Sequence, residues 1–194
     1  MDHAFFVERG LVSVSARVAP EQWVEVWLIG SEGMSGLPIL LGDAKFPAFR
    51  RVVQVGGSAL RISAKDLLKA RELSPSFDKL MLRYASVVLL QTSQSGACNA
   101  HHSLQQRLAR WLLLAKFALN ENELPITHNM LSRLLAVRRP SVTTCLGVLE
   151  DEGSIRMDRG LIQVSDPGKL EATCCHCHHV IKQAYVRLIG RFES

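Results

Sequence analysis

LPITHNMLSRLLAVRRPSVTTCLGVLEDEGSI, residues 124–155, is the stretch on which the reading of the whole chain turns. It holds two short amphipathic runs joined by a tight turn. In the first run Leu131, Leu134 and Leu135 recur at helical spacing, with Ile126 just ahead. Thr127 can cap that run, because its hydroxyl accepts one of the orphan N–H groups of a first helical turn. The turn is Ala136-Val137-Arg138. Pro140 opens the second run, at a position where its missing N–H has no partner to lose. Val142, Cys145, Leu146 and Leu149 form the apolar face of this second run. Gly153 ends it, since glycine takes the left-handed C-terminal cap without steric cost.

The opposite face of the second run carries the chemistry. Arg138, Arg139, Ser141, Thr143 and Thr144 crowd its first two turns, and from Leu124 to Leu149 there are three Arg and no acid. Arginine at a helix N-terminus opposes the helix dipole, so the pattern does not serve the helix itself. A negative partner would explain it. Arginine can bridge O6 and N7 of guanine in a major groove, and Ser or Thr can reach phosphates and base edges. An ordinary helical hairpin with a solvated face has the same spacing, and such pairs occur in proteins that bind no DNA.

The next residues sharpen the choice. Residues 155–164 (IRMDRGLIQV) read as two short strands around an Asp-Arg-Gly turn, a wing directly after a recognition helix. With this addition, residues 103–165 resemble the C-terminal DNA-binding domain of the Crp/Fnr family of bacterial transcription regulators. The resemblance covers the leading helix, both helices of the motif, the LEDEGSI exit and the wing. It implies a recognition helix over about Arg139 to Leu149. It matches Thr127, His128, Arg139, Ser141 and Thr144 to the family's base- and phosphate-contacting positions. With the neighbours on the same face, the expected DNA-binding set is Thr127, His128, Arg138, Arg139, Ser141, Thr143 and Thr144. Two departures stand out. Ala136 occupies a turn position that is often Gly, and Gly147 interrupts the recognition helix at a cost of about 1 kcal/mol relative to Ala.

Composition is that of an ordinary globular chain. It has 194 residues, 47% hydrophobic and 21% charged, with a formal net charge of +5, a mild bias toward polyanions. No run of about 18 apolar residues occurs, so no membrane is expected as a partner. MDHAFFVERG lacks a basic region followed by an apolar core, so no signal peptide is expected. Five Cys, three of them within 174–177, suit a reducing cytoplasm better than a disulfide framework. No nucleophile–base pair or phosphate-cradling loop points to an enzyme.

Residues 1–62 read as strands. Residues 11–18 and 22–29 alternate, and 49–55 and 59–62 flank Gly56-Gly57. Short strands with glycine turns suggest a sandwich or barrel. They resemble the effector domain of the same family, a jelly roll of the cyclic-nucleotide-binding type. On that resemblance the chain begins where a mid-barrel strand would be, so either the domain is incomplete or the true start lies upstream. The family's nucleotide site uses a Gly-Glu-Leu run, an Arg paired with Ser or Thr, and a Thr-Ser pair on the long helix. The matching run here is Ser35-Gly36-Leu37, without the Glu that binds the ribose. Arg51 fits the phosphate Arg but is followed by Val52, and Thr92 and Ser93 match the pair. Losing the Glu leaves a buried hydroxyl unpaired, which costs about 1–3 kcal/mol. Cyclic AMP is therefore not the expected effector.

Ser74-Pro75 caps a long helix running to about Ala100. Its apolar surface is too wide for one neighbour. The resemblance makes it a dimer seam through Met81, Ala85, Val88 or Leu89, Thr92, Gly96 and Asn99. The small residues Ala85, Thr92 and Gly96 would allow close approach. A rival stripe of Phe77, Leu80, Tyr84, Val87, Gln91, Gln94 and Cys98 also keeps heptad spacing. Residues 98–102 form the expected hinge, and residues 120–125 a polar loop. Residues 169–191 read as one more helix whose first turns carry Cys174-Cys175-His176-Cys177-His178-His179. Cys174, Cys175, Cys177 and His178 are the candidate metal ligands there, to be completed by His101, His102 or a second subunit. Redox sensing, or buried thiols beside solvent-facing histidines, are the alternatives.

The expectation is an α+β chain in four parts. A β jelly-roll-like domain spans 1–73, a dimerisation helix 74–100, a winged helix-turn-helix domain 101–168 and a C-terminal helix 169–194. Its expected function is a cytoplasmic, homodimeric regulator on a palindromic double-stranded DNA operator, with RNA polymerase as the further partner such a regulator meets. No cofactor is expected, a metal at the Cys/His tail being the one candidate. The alternative is a protein-interaction winged helix with a metal-binding or redox-sensing tail.

Overall fold

A computed structural model describes residues 1–42 and 49–190, in α+β architecture. The N-terminal part holds β1 (His3–Val7), β2 (Leu11–Ala19), β3 (Gln22–Ile29), β4 (Met34–Ser35), a helical turn α1 (Leu37–Leu40), β5 (Phe49–Val55) and β6 (Ala59–Ser63). They form two antiparallel three-stranded sheets, ordered β4-β1-β6 and β3-β2-β5. Ala4, Val7, Val14, Trp27, Ile29 and Met34 fill the space between them as one core. The alternation of β2 and β3 marks them in the sequence, whereas the uniformly apolar AFFV of β1 has no period-2 signal.

Ser63 caps α2 (Ala64–Leu73) by accepting from the Asp66 N–H, and Ser74 caps α3 (Pro75–His101) by accepting from the Phe77 N–H. Arg71 joins the two helices through Asp78 at 2.6 Å and also donates to the Leu40 carbonyl. At 27 residues, α3 is about 40 Å long. It runs on through His101, so of the expected hinge at 98–102 only His102 lies outside the helix. Ser103 and Gln106 then close a reciprocal capping box at the start of α4 (Leu104–Leu119).

The C-terminal domain follows with β7 (Glu123–Leu124), α5 (His128–Leu134), α6 (Arg139–Asp151), β8 (Ile155–Asp158) and β9 (Leu161–Val164). The wing is a three-stranded sheet, β7-β9-β8. Residues 120–125 are thus not only a polar loop, because Glu123 and Leu124 pair with Gln163 and Ile162 and Leu124 is fully buried. Leu108, Trp111, Leu112, Leu131, Val142, Leu146 and Ile162 share a core with Leu11 and Leu28 of the β domain. Trp111 donates to Glu25 of β3 at 2.6 Å, and buried Arg110 donates to Ser95 of α3 at 3.0 Å. Gly30 lies directly on the Ala118 backbone, and any Cβ there would collide with it. The two domains are therefore welded rather than strung together.

The tail departs from expectation. In place of one helix over 169–191 there are two, α7 (Pro167–Thr173) and α8 (His176–Ile189), with Arg191 outside the described residues. Cys174 and Cys175 are both extended between them, at ψ 156° and 158°. The break has a packing cause: α7 lies on α4, burying Leu170, while α8 lies along α3, burying Ile181, Ala184 and Tyr185. One straight rod could not reach both surfaces. Tyr185 donates to Gln91 of α3 at 3.0 Å. No helix among the described residues is long and apolar enough to cross a membrane.

Candidate nucleic-acid interface

The helix-turn-helix is set by its turn. Ala136 sits at φ 54°, in the left-handed region that glycine takes freely and alanine only at a cost of about 1 kcal/mol. Val137 N–H bonds back to the Ser132 carbonyl at 2.9 Å, which closes the turn. Arg107 braces it from α4, donating to the Leu135 carbonyl at 2.9 Å and to Asn99 of α3 at 3.0 Å. Behind α6, Val142, Leu146 and Leu149 are fully buried. The recognition helix is thereby fixed in rotation.

Its other face is open. Arg138, Arg139, Ser141, Thr143 and Thr144 are all exposed, and among the described residues neither arginine makes an ion pair. Arg138 also lines a 680 Å³ cleft between α5 and the β3-β2-β5 sheet, where Arg50, Gln54 and Arg133 face it. Thr127 is exposed, and its hydroxyl caps α5 by accepting from the Met130 N–H at 3.2 Å. Half-buried His128 touches the Thr143 hydroxyl at 2.9 Å through Nδ1, which ties α5 to α6 across the face. Thr143 and Thr144 hydroxyls bond to the Arg139 and Pro140 carbonyls, so the side chains are held along the helix. Arg156 and Arg159 of the wing are exposed as well. The acids lie at the other end of α6, where Glu150 accepts from the Met157 N–H at 2.7 Å and anchors the wing. Cations at one end and acids at the other give the domain a polarised surface suited to a polyanion.

The residues expected to bind an effector sit on separate elements, Arg51 on β5 and Thr92 and Ser93 on α3. Arg51 pairs with Val14 in the sheet and shares its inward side; its Nε is buried with no partner among the described residues, and burial pushes the guanidinium pKa down. Thr92 and Ser93 return their hydroxyls to the Val88 and Leu89 carbonyls of their own helix. No hydrogen bond among the described residues joins them to Arg51. Gly36 stands at φ 141°, and its Cβ would press on Ala4, so a glutamate side chain does not fit that position as built.

On α3, Met81 and Val88 are turned into the cores of their own chain, at 6% and 3% exposure, so neither is free to join a seam. Met81 lies one residue out of register with the open stripe. That stripe is Leu82, Ala85, Leu89, Thr92, Gly96 and Asn99, exposed or half-buried at three- and four-residue spacing. The rival stripe is largely consumed within the chain: Tyr84, Val87, Gln91 and Cys98 are buried, while Leu80 is 42% exposed.

In the tail, Cys175 and Cys177 come together with Cys98 of α3 and His102 just after it, and Cys174 and His178 do not belong to that group. Of the two completing ligands, His102 is among those the sequence offers, whereas reasoning on a continuous helix misses Cys98 because the break at 174–175 redirects the thiols. His178 is instead buried, and desolvation pushes its pKa down to about 4, leaving it neutral.

Residues 106–173 match the family model of the Crp-like helix-turn-helix domain. No curated protein sequence matches the chain. Among solved structures, FixK2 from Bradyrhizobium japonicum superposes with a TM-score of 0.70 at 13% identity, covering 90% of this chain and 88% of that one. A CRP-family transcriptional regulator from Thermus thermophilus gives 0.67 at 17%, covering 89% and 87%. A CRP/FNR-family regulator from the same organism gives 0.66 at 23%, with the same coverage of 89% and 87%. The chain thus has the Crp/Fnr transcription-regulator fold, with a Crp-like helix-turn-helix domain at residues 106–173.

Proposed function

We propose that the protein is a transcription regulator that binds a palindromic double-stranded DNA operator as a homodimer. The observation that carries this reading is the first two turns of α6. There two arginines, without ion pairs among the described residues, and three hydroxyls stand exposed on a helix whose other face is locked in the core. Phosphate contacts from Arg138, Thr127 and the wing arginines would set the register, and Arg139 with Ser141 and Thr144 would read base edges. Met81 being spent inside the chain, the two-fold contact runs through Leu82, Ala85, Leu89, Thr92 and Gly96. The signal read by the β domain is not cyclic AMP on this reading, because Gly36 offers no ribose acceptor and is packed too closely to gain one.

Arg139→Ala tests it. Specific binding to an operator selected from random DNA should weaken by about 1–3 kcal/mol, with relaxed preference at one base position in each half-site. Fluorescence anisotropy on matched and single-mismatch duplexes reads both effects. An unchanged affinity would place the base-reading surface elsewhere.

A further inference from the structure

The DNA-binding reading leaves the tail thiols without a role. Cys98 is fully buried in α3, and Cys175 and Cys177 are 5% and 2% exposed. Half-buried His102 sits one helical turn beyond Cys98. Their four ligand atoms all lie within 4.8 Å of one another. Cys98 and Cys175 sulfurs are 3.4 Å apart, and Cys177 Sγ is 3.6 Å from His102 Nδ1. A tetrahedral ion with Zn–S near 2.3 Å and Zn–N near 2.0 Å needs edges of about 3.8 and 3.5 Å. We propose that Cys98, His102, Cys175 and Cys177 bind a single zinc ion that fastens the tail to the hinge end of α3.

Three observations support this beyond the spacing. All five cysteines are free thiols, and the 3.4 Å sulfur separation is far too long for a disulfide of about 2.05 Å. Gln94 donates to Cys177 Sγ at 3.2 Å, the kind of outer contact that orients a thiolate ligand. Arg110, 5% exposed with its Nε unpartnered among the described residues, donates at 3.0 Å to Ser95, three residues before Cys98 on α3. On binding, three thiols release three protons, and Zn²⁺ with three thiolates and a neutral imidazole carries one net negative charge, which Arg110 offsets in the interior. Three sulfurs and one nitrogen, all supplied by the chain, make a closed set of the structural kind with no position left for substrate. Four ligand atoms this close enclose one ion, whereas an iron–sulfur cluster needs its thiolates spread around several metals. The ligands come from the end of α3 with its cap residue His102 and from the start of α8 with its cap residue Cys175, two segments that the break at Cys174-Cys175 brings side by side.

The full chain, purified under reducing conditions, is assayed for metal by mass spectrometry and for its spectrum after cobalt loading, with no DNA present. The expected result is one zinc per chain in the native protein and in Cys174→Ser, with a tetrahedral cobalt–thiolate spectrum. Cys98→Ser and Cys177→Ser should lose the ion. Because a buried serine can disturb folding, His102→Gln at the half-exposed ligand gives the second reading. It should keep its circular dichroism but alter the cobalt spectrum and bind zinc at least about tenfold more weakly. Any of four outcomes overturns the site: no zinc retained after one equivalent is added, loss in Cys174→Ser equal to that in Cys98→Ser, an unchanged spectrum in His102→Gln, or an iron–sulfur chromophore. None of these readings depends on whether the protein binds DNA.

Discussion

Leu89→Glu should run as a monomer at micromolar concentration by light scattering and lose its grip on the operator. Leu89 is 69% exposed in the single chain and lies at the centre of the open α3 stripe, seven residues from Leu82 and seven from Gly96. A two-fold pairing would lay each copy against its mate and desolvate it. Two carboxylates at that seam face one another with no cation in the stripe, and burying charge without a partner costs several kcal/mol. The same substitution leaves the monomer fold nearly untouched, because the side chain already faces water. Circular dichroism should therefore be unchanged while the dimer is lost. Operator affinity should fall by orders of magnitude, since one half-site supplies only part of the binding energy. A variant that stays dimeric would move the seam to another face.

The second large effect is at the weld between the domains. Trp111→Ala should destabilise the protein by about 3–5 kcal/mol, read from the midpoint of urea unfolding. Trp111 is 2% exposed, fills the shared core and donates to Glu25. Removing it opens a cavity and takes away the hydrogen-bond donor of the Glu25 carboxyl. That carboxyl adds a pH signature. Desolvation pushes the Glu25 pKa up to about 8, against the smaller opposing effects of the Trp111 hydrogen bond and Arg110. The unfolded chain releases this proton near the ordinary value of 4.5 while the folded chain holds it to about 8. Between those limits the folded state binds more protons, so this group makes stability fall as pH rises from about 5 to about 8, and the loss is complete above that. Glu25→Gln keeps an acceptor for Trp111 and carries no titrating proton. Its stability should lose that slope; an equal slope in both proteins would show that Glu25 is charged throughout.

Much of the fold is legible where a local rule and a packing requirement coincide. Ser74-Pro75, the Ser103–Gln106 box and the stripe of α6 each state a cap or a face outright, and the elements they announce begin within a residue of the expected place. What was not legible depends on distant partners. β1 lacks alternation because its apolar residues serve both faces, and β7 is two residues that exist only because β9 passes beside them. The tail shows this most sharply. Nothing local breaks a helix at Cys174-Cys175; the break follows from α4 and α3 presenting separate surfaces to α7 and α8. The open stripe on α3 is likewise set by distant partners, since α8 covers the side bearing Gln91 and Cys98 and the β domain takes Met81.

Whether α6 reads DNA is tested by the salt dependence of binding to a selected operator, compared with scrambled DNA of the same length. If two recognition helices grip two half-sites about 34 Å apart, selection from random DNA should return a palindrome with that spacing. Affinity for it should fall about a hundredfold or more between 50 and 200 mM salt through counterion release, while the preference over scrambled DNA persists. Binding that is indifferent to salt would leave α6 a protein-contacting helix, and binding that is equal on operator and scrambled DNA would leave it without base readout.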